Sequence, residues 1–132
     1  MNYRKCSIMA LLGIVIFLNT GCAAVLLGGG AAAAGAGTIL FIKGELQSTE
    51  NVSIDKAWRA TVLAVDDLGF VVTSKEKDAV SAKLNALTAD NKEVKITLNR
   101  KADKATQIAI RVGTFGDESL SRLILDKIRE RY

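Results

Sequence analysis

Three consecutive runs between Val80 and Val112 place apolar residues at every second position, and this period restricts the fold more than any other feature of the chain. Val80, Ala82, Leu84 and Ala86 alternate with Ser81, Lys83 and Asn85; Val94, Ile96 and Leu98 with Glu93, Lys95, Thr97 and Asn99; Ile108, Ile110 and Val112 with Gln107, Ala109 and Arg111. Side chains of a strand point alternately to opposite faces, so each run reads as a strand with one buried and one solvated face. Asp90-Asn91 and the polar stretch Arg100 to Lys104 supply the turns, which makes the meander antiparallel. Phe70 to Ser74 reads as a further short strand followed by a charged turn at Lys75 to Asp78, and Gly44 to Val52 as an edge strand.

Two segments carry the helical period instead. Ser53 is a suitable N-cap for a helix in which Ile54, Ala57, Trp58, Thr61, Val65 and Leu68 recur three and four residues apart, with Gly69 as its C-terminal stop. Gly116 and Asp117 open a second helix with an apolar stripe of Leu120, Leu123, Ile124 and Ile128. Its charges follow the helix dipole, with Asp117 and Glu118 in the first turn and Lys127, Arg129 and Arg131 in the last. Helices with one apolar face and a sheet with one apolar face bury each other. The expected fold is an α+β two-layer sandwich, an antiparallel sheet of four to five strands with two helices packed on one face, over residues 43–132.

The N-terminal third reads differently. A basic start (Arg4, Lys5), an apolar stretch from Ile8 to Leu18 and the small residues Thr20 and Gly21 lead to Cys22, the pattern of a bacterial secretion signal cleaved at a cysteine that is then acylated. Asn19 stands where such signals usually carry leucine, and Leu18 lies one position further back. Residues 1–21 are expected to be a lipoprotein signal peptide and Cys22 the lipidation site. From Ala23 to Ile42 no residue is charged, and small residues are bracketed by apolar ones. As a helix such a segment would reach about 30 Å, enough to cross a hydrocarbon core. Gly29, Ala33 and Gly37 would then offer the small-residue spacing that lets membrane helices approach. Several glycines weaken a helix, so a spacer that only touches the bilayer is the other reading. A third is an uncleaved membrane hairpin with the domain on the side of Arg4 and Lys5.

Cys22-Ala23-Ala24, the Gly/Ala run, Lys43-Gly44-Glu45-Leu46, Lys56-Ala57-Trp58, Asp67-Leu68-Gly69-Phe70 and Val112-Gly113-Thr114-Phe115-Gly116-Asp117 together resemble a family of small bacterial lipoproteins catalogued as a domain of unknown function. The resemblance covers nearly the whole mature chain. It implies the envelope address and the domain boundary, and it brings no catalytic residue.

Composition narrows the function classes. Removing Arg4 and Lys5 with the signal leaves 16 cations against 14 acidic residues, about +2, which is no nucleic-acid footprint. The 132 residues contain no histidine, so the commonest general base and transition-metal ligand are missing. Cys6 lies inside the signal, leaving the mature domain no thiol for a disulfide. Asp66 and Asp67 are adjacent carboxylates without a third oxygen ligand nearby in sequence, Val112 to Asp117 reads as a turn and cap, and Trp58 as a core residue. Lys92, Lys95, Arg100, Lys101 and Lys104 read as a solvated cluster around one hairpin end, with contact to anionic headgroups or glycans as the sharper alternative. The expectation is a non-enzymatic envelope lipoprotein without cofactor or metal, its partners being membrane lipid through the anchor and an envelope component. Ala23 after the anchor lacks the aspartate that in enteric-type sorting retains lipoproteins in the inner membrane, so the outer membrane is the expected address. The alternative is an oligomeric membrane-stabilising protein packed through the Gly/Ala segment.

Overall fold

In chain order, the computed structural model of residues 38–132 contains β1 (Leu40–Ile42), β2 (Glu45–Glu50), α1 (Ile54–Asp67), β3 (Val71–Lys77), β4 (Ser81–Leu87), β5 (Glu93–Ala102), β6 (Ala105–Val112) and α2 (Glu118–Arg129). Cys22, Gly29, Ala33 and Gly37, with the whole signal segment, lie outside the described residues. The architecture is α+β, and every neighbouring pair of strands in the order β1-β2-β6-β5-β4-β3 is antiparallel.

The alternation seen in sequence becomes a set of cross-strand rows. Leu84, Ile96, Ile110 and Leu46 stand side by side across four strands, flanked by the row Ala82, Leu98 and Ile108 and the row Ala86, Val94 and Val112. All of these side chains are buried on one face beneath the two helices. Small residues decide how α1 sits: Ala57, Ala60 and Ala64 face inward, so the helix lies close against the sheet around β4 and β5. Ser53 caps it, accepting the Lys56 N–H, and Gly69 beyond its end has the positive φ of +69° that glycine adopts at little cost. α2 covers β2 and β6 with Ser121, Ile124, Leu125 and Ile128.

Several expectations change. The sheet has six strands rather than four to five, because Leu40–Ile42, read as the end of the apolar segment, pairs with β2. The segment expected as an edge strand is therefore an interior one. Lys43 (φ +51°) and Gly44 (φ +80°) form the two-residue hairpin turn between β1 and β2, the left-handed conformation that such turns require at both positions. β3 runs on to Lys77 through the expected charged turn, since an uncovered edge strand can carry charge on both faces. Val80 lies outside β4 and is 60% exposed instead of facing the core. Leu123 also faces solvent and Leu125 takes its place, because residues 121, 124, 125 and 128 form the helical stripe that meets the sheet. β5 continues to Ala102, with a register irregularity at Arg100 and Ala102, so the last turn is shorter than Arg100 to Lys104. Among the described residues no helix is long and apolar enough to cross a membrane.

Candidate functional site

Surface chemistry concentrates in three places, each set by how the helices fit the sheet. At one edge β3 extends past the flank of α1, and all seven of its residues are exposed. By register Lys75 and Lys77 lie on the helix-bearing face, opposite Leu84 and Ala82. The space between strand and helix is an open groove of about 530 Å³ lined by Trp58, Arg59, Val62, Leu63 and Lys75. Trp58 thus packs against the rim of the core and also walls this groove, a more exposed setting than the interior position its helical spacing implies. Lys77 is held by Asp55 at 2.7 Å, and this pairing draws the Asp55 carboxyl below its usual range. Arg59 and Lys75 have no carboxylate partner among the described residues. The outer edge of β3 has no neighbouring strand in the described sheet.

The second place is the link between β6 and α2. Gly113 and Gly116 have φ of +70° and +84°, and Gly116 crosses the β1–β2 turn at Gly44 backbone against backbone. Arg111 donates from Nη2 to the Lys43 carbonyl at 2.8 Å, tying the same turn to β6. Asp117 is the N-cap of α2, its Oδ1 accepting the Leu120 N–H at 3.0 Å, while Lys92 approaches its other oxygen at 3.6 Å. The Leu120 N–H, and secondarily Lys92, hold this carboxyl below its usual range. A folded pKa below the unfolded one gives stability that is present above the unfolded value and lost as pH falls through the folded value. The melting-temperature advantage of the native chain over Asp117→Ala is accordingly expected at neutral pH and should shrink as pH falls below the ordinary aspartate range. An advantage that persists unchanged in acid would contradict the capping role.

The third place is a polar clamp under the last turn of α2. Glu50, only 8% exposed, faces inward from the end of β2. It accepts from Ser48 Oγ at 2.5 Å and from Arg129, whose Nη2 and Nε lie 2.7 and 3.1 Å from Oε1. Arg129 Nη2 also reaches Ser48 Oγ at 3.3 Å. The bond to Glu50 raises the Arg129 pKa above its already high value. Burial, with the Glu50 charge second, pushes the Tyr132 phenol upward as well. Arg131 pairs with Asp67 and joins the C-terminal ends of the two helices.

The residues singled out from sequence are distributed differently. Lys92 immediately precedes the ten-residue strand β5 and Lys95 lies near its start, whereas Arg100 and Lys101 lie near its far end and Lys104 in the turn beyond, so the expected cation cluster is not formed. Asp67 is engaged by Arg131, and no group of three or more metal-binding side chains occurs among the described residues. Glu50 escaped the sequence reading, although its place two positions from Ser48 and four from Leu46 in one strand was the available signal.

A family model described as Protein of unknown function (DUF3568) matches residues 5–131. No curated protein matches the chain. With the match running from the basic N-terminal segment to the residues that follow α2, the chain belongs to the DUF3568 family of proteins of unknown function.

Proposed function

We propose that this protein is a non-enzymatic lipoprotein of the bacterial envelope, anchored through acylated Cys22, whose α+β domain binds an extended segment of another envelope protein along β3. The observation that carries the binding reading is the groove between α1 and β3, where an apolar floor adjoins a strand edge that no other strand covers among the described residues. An added strand would satisfy the outward N–H and C=O groups of β3, while one of its apolar side chains fills the space beside Trp58, Val62 and Leu63. Arg59 and Lys75 at the rim favour acidic neighbours in that segment. Lys75 and Lys77, with the register irregularity between Val72 and Ser74, disfavour a second copy of this chain, which would bring its own Lys75 and Lys77 to the shared edge. The anchor reading is supported by the basic start, apolar stretch and small residues before Cys22, and the non-enzymatic reading by a sequence without histidine.

Photo-crosslinking in intact cells tests the site. A crosslinker at Leu63 is expected to capture one envelope protein, and the paired reversal Arg59→Glu with Lys75→Glu should lower its yield about tenfold, as follows from losing about 1.4 kcal/mol. A crosslinker at Lys95, on the opposite face, should not capture it. Equal capture from both faces, or yield unchanged by charge reversal, would reject the groove as the binding surface. Intact mass spectrometry with an unacylated Cys22 would reject the anchor.

A further inference from the structure

Phe115 is 93% exposed, more than any other large apolar side chain among the described residues. Its loop has little freedom to fold the ring away. The Phe115 carbonyl and Gly116 lie so close to Gly44 that no Cβ fits at either glycine. The ring is therefore presented outward from a crossing of two tight turns. Ile42, 48% exposed, ends β1 immediately before the same crossing. A lone exposed apolar side chain on a soluble surface requires no explanation. Its position relative to the tether makes this one informative. The chain enters the fold through β1, which runs toward this crossing, and the stretch from Cys22 to Thr38 can reach at most about 55 Å.

We propose that the Phe115 loop, with Ile42 beside it, seats in the surface of the bilayer that holds Cys22, fixing the orientation of the domain. The inference rests on the anchor reading given above. A phenylalanine ring gains by burial at the boundary between headgroups and acyl chains, as on the apolar faces of elements that lie in the membrane surface. Around the loop the two cations Lys92 and Arg111 are outnumbered by the three carboxylates Glu93, Asp117 and Glu118, so seating depends on burial of the ring and draws nothing from anionic lipid. β3 lies five strand spacings from β1, about 24 Å. Trp58, one turn into α1, is near the end of the sheet opposite the Phe115 loop. With the β1 corner on the membrane, the groove faces away from it and stays open to a partner.

The test uses the acylated full-length mature chain, purified from membranes and reconstituted into phosphatidylcholine vesicles whose acyl chains carry bromine. In the single-tryptophan protein W58F/F115W, the fluorophore at position 115 should lose at least about half of its emission to the brominated lipid. The tryptophan of the unaltered chain, at position 58, should lose almost none. A bimane label on F115C in the otherwise native chain gives the same reading without altering Trp58. Flotation with the vesicles but no quenching at position 115 in either variant overturns the membrane contact and leaves the anchor standing. Failure to float, with Cys22 unacylated by intact mass, overturns both.

Discussion

Replacing Gly116 by alanine is expected to cost the fold about 4 kcal/mol, from a left-handed backbone strain of roughly 1–2 kcal/mol and overpacking of roughly 1–3 kcal/mol. The φ of +84° is one part of the cost, because a Cβ there meets its own backbone. The other part is spatial: that Cβ would overlap the Gly44 carbonyl and Cα, main-chain atoms of a hairpin turn with no rotamer by which to withdraw. Gly69 separates the two contributions. It has a similar φ of +69°, but a methyl group there would meet nothing within 4 Å, so Gly69→Ala should cost only about 1 kcal/mol. By thermal denaturation the Gly116 variant should melt on the order of 20 °C below the native chain, and the Gly69 variant about 5 °C below. Equal losses for the two would show that the β1–β2 turn yields easily and that the crossing does not hold the Phe115 loop.

The meander was legible because burial of one sheet face imposes a period of two: Val94 to Leu98 keep it without interruption, whereas between Ile108 and Val112 it is broken by Ala109, expected to face out, which pairs with Thr97 on the outer face and is nevertheless buried because its side chain is small. α1 was legible because Ser53 and Gly69 bracket a helical stripe. What escaped lacks a period for physical reasons. β1 has three residues, too few to alternate, and follows an uncharged run that hides where it begins; only the Lys43-Gly44 turn announces it. β3 is exposed on both faces, so Lys75, Glu76 and Lys77 imitate a turn. The groove follows from the mismatch between the width of α1 and the width of the sheet, a tertiary fact with no local signature. Trp58 was visible as an apolar residue, and Phe115 as part of a turn, but neither sequence position reveals that its ring borders open space. The split of the expected cation cluster has a similar origin. It depends on β5 being one continuous strand, so that residues close in number stand at opposite ends of the sheet.

The second large effect is expected at the polar clamp, where Arg129→Ala should cost about 3 kcal/mol, toward the lower end for breaking a buried ion pair. Glu50 is nearly covered, whereas the Arg129 side chain is 31% exposed, so water replaces part of the lost interaction. The carboxylate would keep Ser48 Oγ as its one side-chain donor, facing the apolar layer between β2 and α2. The loss is also mechanical, because Arg129 fastens the last turn of α2 to the sheet. An exposed pair such as Arg122 with Glu118 provides the contrast: both partners are about half exposed, and Arg122→Ala should cost at most about 1 kcal/mol. The decisive comparison adds Glu50→Gln to Arg129→Ala. If the cost comes from an uncompensated buried charge, the neutral amide relieves it, and the double variant should be more stable than Arg129→Ala alone by about 1–2 kcal/mol in urea denaturation. A double variant no more stable than the single one would mean that packing of the arginine stem, rather than charge compensation at Glu50, holds α2 in place.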